Sequence, residues 1–269
     1  MARRLAIANQ KGGVGKTATA VNLSAALAEA GHRVLLVDLD AQGSASTGVG
    51  VVAQPGRSSY EFLLGMAAPA SCIVRTDSER LDVLPAYREL AGAEVELIDA
   101  EQRQWRLRQA LSEVDGGYDF VIVDCPPALG MLTLNALCAA DAVLVPLQCE
   151  FYALEGLTAL LDTITKVRER HNQALALEGI ALTMYDARTS LSRQVAQEVR
   201  AHFGDAVFRA MIPRNVRIGE SPSHGKPVTG YASSSAGAAA YRQLARELVE
   251  RRQQKIDNTG GNNGETAAG

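Results

Sequence analysis

The sequence contains no run approaching the ~18 consecutive apolar residues needed to span a bilayer. A strand-like pattern begins almost at its first residues, leaving no room for a signal peptide. Both absences lead to the expectation of a cytoplasmic protein. Cysteine is scarce: Cys72, Cys125, Cys138 and Cys149 stand far apart with no CxxC pair. That spacing argues against a disulfide framework or a zinc site and for four buried thiols. Aromatic residues make up only 5% of the chain, while 47% of its 269 residues are apolar and 24 are glycine. Such a composition suits many short aliphatic strands and tight strand-to-helix turns. The length permits one large α/β domain or two small ones.

Net positive charge is absent, the balance being −3, which by itself looks wrong for a nucleic-acid binder. The balance is uneven along the chain. From Thr183 to Ile256 there are 12 Lys/Arg against 6 Asp/Glu, a net of +6, and the remainder carries −9. A basic face is expected in the C-terminal third.

Arg3 to Asn9 reads as a short buried strand, followed by a glycine-rich stretch and a helix from Ala18 to Ala30 that Gly31 stops. Arg33 to Asp38, Tyr118 to Asp124, Ala142 to Leu147 and Gly179 to Met184 are further aliphatic strands. Helical spacing runs through Ser59 to Gly65, Leu90 to Ala100, Gln102 to Val114, Thr133 to Ala139, Leu154 to Arg170, Ser192 to Phe203 and Ala236 to Gln254. Continuous apolar strands separated by helices imply a mostly parallel sheet covered on both faces, a three-layer α/β/α fold. With no internal repeat and no linker, residues 1–256 are expected to form one domain. Residues 257–269 are polar and glycine-rich, with nothing to bury, and are expected to be disordered.

Lys11 to Thr17 (KGGVGKT) lies between the first strand and the first helix, the context a Walker A phosphate loop requires. Gly12, Gly13, Val14 and Gly15 let backbone N–H groups turn towards phosphate oxygens at a helix N-terminus. Lys16 would neutralise the β- and γ-phosphates, and the Thr17 hydroxyl would join a Mg²⁺ shell. The expected ligands are therefore ATP and Mg²⁺. Asp38 and Asp40 end the second strand. Asp40, already in the loop, is assigned to orienting the attacking water and Asp38 to the metal's outer shell. Asp124 closes the strand FVIVD ahead of Pro126 and Pro127, a Walker B arrangement holding a Mg²⁺-bound water and opening a switch-like loop.

Taken together and in order, KGGVGKT, VLLVDLDAQGS, FVIVDCPPALGMLTLNAL, ALTMYDART and IPRNVRIGESPSHGKPV resemble the ParA/Soj family of chromosome and plasmid partitioning ATPases, from about Leu5 to Leu248. The resemblance implies a P-loop NTPase fold and a Mg²⁺-ATPase that forms an ATP-sandwiched homodimer. It further implies non-specific DNA binding in the ATP state, release after hydrolysis stimulated by a ParB-type centromere-binding partner, and association with the nucleoid. Residue by residue, Lys11 matches the second, signature lysine of the deviant Walker loop, which reaches the partner's nucleotide. Asp40 matches the hydrolytic aspartate and Asp124 the Walker B carboxylate. Pro213 and Asn215 match the segment that frames the adenine, and Arg188 and Arg217 match DNA-contacting arginines. Ala18 stands where a second threonine is usual, leaving a backbone N–H for the nucleotide. Ala41 replaces a common proline, which makes the Asp40 loop less stiff. A MinD-like membrane ATPase shares the loop but wants a C-terminal amphipathic membrane helix, and an orphan relative positioning a protein cargo shares all these motifs. No membrane contact is expected.

Overall fold

The computed structural model of the chain describes residues 2–151 and 153–261. Its strands are β1 (Arg3–Ile7), β2 (Val34–Asp38), β3 (Val74–Arg75), β4 (Leu81–Leu84), β5 (Phe120–Asp124), β6 (Ala142–Gln148), β7 (Ala176–Tyr185) and β8 (Val207–Pro213). They form one sheet in the order β3-β4-β2-β5-β1-β6-β7-β8. Every neighbouring pair is parallel except β3 with β4. Each apolar strand feeds both faces because successive side chains alternate. Leu35, Val37, Val121, Val123, Val143 and Val145 pack under the helices Met131–Ala139 and Ala153–Arg170. Leu5, Ile7, Val34, Leu36, Phe120 and Ile122 pack on the other side against Lys16–Glu29 and Ala236–Gly261. The three-layer α/β/α expectation is met.

The five strands read from the sequence are present with ends moved by a few residues; β3, β4 and β8 were not anticipated. Their signal is weak for physical reasons. β3 has two residues, β4 carries Asp82 on one face, and β8 lies at the sheet edge with Arg209 exposed in its middle. The segment read as a helix from Gln102 to Val114 starts with a 3₁₀ turn at Arg103–Trp105, and its α-helix is Arg106–Ser112. Gln102 sits at φ 51°, outside the helical region. The final helix continues to Gly261, beyond Gln254, and residues 262–269 of the anticipated tail lie outside the described residues.

That last helix docks on the sheet. Leu244 and Leu248 are fully buried, Arg251 stacks 4.1 Å from the centre of the Phe208 ring, and Arg242 makes two bonds to Glu29 at 2.7 and 2.9 Å. Its apolar stripe is therefore used inside the fold. Among the described residues no helix is long and apolar enough to cross a membrane. All four cysteines are free and buried, and burial raises each thiol above its ordinary pKa, as expected of packing residues.

Candidate nucleotide site at the C-terminal edge of the sheet

β1 delivers the chain into the loop 8–15, and the helix begins at Lys16. Gly13 and Gly15 take φ of 75° and 88°, a conformation that side chains other than glycine's rarely adopt. A Cβ built on Gly12 or Gly13 would meet nothing within 4 Å, so the backbone of the loop is open to a close-fitting ligand. Two side chains brace it through three hydrogen bonds. Asn9 Nδ2 donates to the Pro146 carbonyl at 2.7 Å, its Oδ1 accepts from the Lys11 N–H at 3.0 Å, and the Thr183 hydroxyl donates to the Val14 carbonyl at 2.8 Å. Thr17 and Ala18 follow in the first turn, half-buried.

Lys16 is buried, and its ammonium donates to the Lys11 carbonyl at 3.0 Å, curling over the loop. Burial lowers its pKa, and Asp124, Cys125 and Asp40 oppose that shift. Lys11 is half-exposed and its ammonium contacts Glu150 Oε1.

The two strand-end carboxylates are brought side by side by parallel pairing, with Asp38 in register with Asp124. Registered residues on neighbouring parallel strands face the same way. Both are fully buried. Burial pushes Asp38 up to about 6, against hydrogen bonds from Ser46 and Asp40 that lower it. Asp124 is raised above the usual carboxylate range, by burial first and by the charge of Asp38 second, with the Thr17 hydroxyl and Lys16 opposing. The Thr17 hydroxyl is near enough to favour the charged form, but no donor reaches either oxygen of Asp124 in hydrogen-bond geometry. A buried carboxylate without partners costs several kcal/mol unless a cation or donor completes it, so an Asp124 next to Thr17 and Lys16 fits a hydrated Mg²⁺. Among the described residues there is no all-protein cage of three or more His, Cys, Asp or Glu, which also suits Mg²⁺ held largely by phosphates and water.

Asp38 has a second task that the sequence did not suggest. Its Oδ2 accepts from the Ser46 N–H at 2.8 Å and the Ser46 hydroxyl at 2.7 Å, and its Oδ1 accepts from the Asp40 N–H at 3.1 Å. Asp40 is half-buried and its Oδ1 accepts from the Gln42 N–H at 3.0 Å.

Pro213 ends β8 in register with Tyr185 of β7. Asn215 caps the short helix Val216–Glu220, its Oδ1 accepting from the Arg217 N–H at 2.9 Å, which leaves its amide as the group able to donate. Arg188 and Arg217 follow the ends of β7 and β8. Each is exposed and already paired: Arg188 reaches both oxygens of Asp186 at 2.9 and 2.7 Å, and Arg217 reaches Glu220 at 2.9 Å. Part of the basic excess counted along the sequence is taken up by contacts within the fold. Arg242, Arg251 and Arg252 anchor the last helix, and Arg200 donates to the Phe208 and Arg209 carbonyls. Arg188, Arg193, Arg209, Arg214, Arg217, Lys226 and Arg246 are exposed.

The residues that sequence reasoning missed are Asn9, Ser46, Glu150 and Thr183. Glu150 lies 139 positions from Lys11 and Thr183 169 from Val14, so no local spacing could have signalled them. A recess of about 720 Å³ lined by Arg33, Arg75, Arg80 and Tyr118 lies at the opposite, N-terminal edge of the strands. Parallel sheets place their ligands at the carboxyl edge, where the glycine loop is.

A family model described as an AAA domain matches residues 2–177. The Caulobacter vibrioides chromosome partitioning protein ParA is 55% identical over 93% of this chain and 94% of its own length. The Bacillus subtilis sporulation initiation inhibitor protein Soj is 51% identical over 93% and 99%. Among solved structures, a Mycobacterium smegmatis protein described as cobyrinic acid a,c-diamide synthase, with bound ADP and magnesium, is 43% identical. It has a TM-score of 0.83 and covers 94% of this chain and 96% of that one. That name denotes a different reaction, whereas the relatives at higher identity are partitioning proteins. The cell division ATPase MinD of Pyrococcus furiosus follows the same fold at 26% identity, with a TM-score of 0.78 and coverage of 93% and 99%. A glycine loop capped by two lysines, with paired aspartates at its back and relatives this similar over nearly the whole chain, means that the chain belongs to the ParA/Soj family of chromosome and plasmid partitioning ATPases.

Proposed function

We propose that this protein is a Mg²⁺-dependent ATPase whose nucleotide state switches it between a monomer and an ATP-sandwiched homodimer. The dimer holds DNA without sequence preference and works with a ParB-type partner in chromosome or plasmid partitioning. The observation that carries the reading is the loop itself, in which left-handed Gly13 and Gly15, Lys16 over the loop and partnerless Asp124 converge on one point.

In this reading the loop N–H groups from Gly12 to Ala18 and the Lys16 ammonium bind the phosphates. Thr17 and Asp124 hold the metal, with Asp38 behind them. Mg²⁺, when bound, supplies positive charge to the terminal phosphates. Asp40 accepts a hydrogen bond from the attacking water and so aligns it with the γ-phosphorus, a positioning role of the kind that dominates phosphoryl transfer. Lys11 leaves Glu150 and lends its charge to the partner's nucleotide, stabilising the charge developing at the γ-phosphate. Pro213 and the Asn215 amide face the base. Arg188 and Arg217, with Arg214 and Lys226 nearby, contact phosphates of DNA through charge and counterion release, and the protein gathers on the nucleoid.

Hydrolysis in the family's style is slow and partner-stimulated. Single-turnover hydrolysis with Asp40→Ala tests the chemistry: turnover that survives the substitution removes Asp40 from the mechanism. DNA retention measured with ATP, with ADP and without nucleotide tests the switch, and retention independent of nucleotide overturns it. The MinD-like alternative needs a free amphipathic helix, whereas Leu244 and Leu248 are buried against the sheet.

A further inference from the structure

Asp40 sits in a segment that is closed on itself. It leaves β2 at Asp38 and returns at Ser46, whose N–H and hydroxyl both donate to Asp38 Oδ2 at 2.8 and 2.7 Å. Inside this ring Asp40 is tied at its own N–H to the other oxygen of Asp38, and the Gly43 N–H returns to the Asp40 carbonyl at 2.9 Å. Ser46 is 1% exposed, and its hydroxyl is a relay: it donates to Asp38 and accepts from the Ala86 N–H at 3.0 Å, beyond the end of β4. The Ala86 carbonyl also packs on the ring, because a Cβ on Gly43 would lie 2.8 Å from its oxygen. Gly43 is left-handed, at φ 64°, so a side chain is disfavoured there twice over.

From this geometry we infer that Ser46 is a positioning residue for the hydrolytic step, clamping Asp38 and thereby setting where Asp40 stands. The inference rests on the reading of Asp40 given above. Ala41 leaves the ring without a proline's rigidity, so the side-chain hydrogen bonds of Ser46 join the backbone ones in limiting its excursions. A hydroxyl that both donates and accepts cannot be replaced by a methyl group without leaving the Ala86 N–H unpaired and Asp38 with one donor fewer. The consequence falls on the alignment of the water and not on the affinity for nucleotide, because Ser46 stands behind Asp38 and outside the glycine loop. Small misplacements of an aligning group reduce rate steeply while binding is spared.

The test uses the full chain with Mg²⁺ and ATP in single-turnover hydrolysis, with ATP binding and the thermal midpoint measured in parallel. Ser46→Ala is expected to lower the rate constant roughly tenfold with Kd for ATP within about twofold of wild type. Ser46→Thr, which keeps the hydroxyl, is expected to recover most of the rate. Should Ser46→Ala fail to fold, the nearly isosteric Ser46→Cys, a weaker donor, carries the same comparison. A wild-type rate in the alanine or cysteine variant overturns the inference. So does rate lost in step with ATP affinity, or a threonine variant as slow as alanine. If Asp40→Ala hydrolyses as fast as wild type, the Asp40 reading fails first and Ser46 has no step to position. If Asp40→Ala is inactive and Ser46→Ala is not slowed, the Ser46 inference alone fails.

Discussion

Lys11 and Glu150 form an ion pair that joins the mouth of the glycine loop to the chain just after β6, with 41% and 31% of their side chains exposed. The lysine expected to act on a second molecule is thus held by its own chain. An exposed pair of this kind is worth about 0.2–1 kcal/mol. Glu150→Gln is expected to release Lys11 and tighten ATP-dependent dimerisation by up to about fivefold, as read by sedimentation at several protein concentrations. A weaker dimer would mean that the pair persists across the interface.

The Thr183 hydroxyl supports the loop from below. Thr183→Val keeps the shape, removes the 2.8 Å bond to the Val14 carbonyl, and leaves that carbonyl short of a donor. A loss of about 1–2 kcal/mol in stability is expected, together with weaker binding of a fluorescent ADP analogue. A melting curve and a nucleotide titration measure the two effects separately.

Asp124 costs the protein without ligand some stability, because both its oxygens are buried without partners and Asp38 stands beside it. Asp124→Asn is expected to raise the nucleotide-free thermal midpoint, by about 1–2 kcal/mol in stability terms. The same variant should lose the extra stabilisation that Mg²⁺ with ADP gives over ADP alone. A fall in the nucleotide-free midpoint would show that the carboxylate is not a source of strain.

Arg188 and Arg217 are each balanced by a neighbouring acid, and the Asp186 carboxyl is held down at about 2 by the Arg188 hydrogen bonds and charge. Removing the acid should free the cation. Asp186→Asn and Glu220→Gln are expected to strengthen ATP-dependent DNA retention a few-fold at low salt. Arg188→Ala should weaken it and reduce the slope of log affinity against log salt by about 1. An unchanged slope excludes Arg188 as a phosphate contact.

Glu247 ties the last helix to β8, accepting from the Arg209 and Ala210 N–H groups at 2.9 and 3.0 Å and from Arg251 at 2.8 Å. Burial alone would raise its pKa, but these donors outweigh it and the pKa lies below the usual glutamate value. A depressed carboxylate stabilises the fold above its unfolded pKa of about 4.3, and that contribution disappears as pH falls through the lower folded value. Glu247→Gln is expected to cost about 1–3 kcal/mol at pH 7, with the difference from wild type shrinking below pH ~4. Urea unfolding at a series of pH values measures it.

The phosphate loop was legible because all its parts are contiguous: a strand, glycines at the positions that need positive φ, and a lysine and threonine at the first turn of a helix. Family order of the motifs extended that to the chain as a whole. The last helix was also legible as amphipathic, but two uses of its apolar side, docking or membrane contact, share one pattern. Packing against Phe208 and Phe120 decided for docking.

What the sequence by itself determined is therefore local: which residues make the loop, which strands are buried on both faces, and which carboxylates end them. Tertiary structure alone decided the rest. Alternation along a strand tells which way a side chain points but not which strand lies beside it, so the pairing of Asp38 with Asp124 needed the order β2-β5-β1. Glu150 and Thr183 enter the site, and Ala86 reaches Ser46, through crossover connections that bring the ends of β6, β7 and β4 to one edge. The count of cations along the C-terminal third likewise said nothing of which are taken up by Glu29, Glu247 and backbone carbonyls, since an ion pair depends on distance in space and not along the chain.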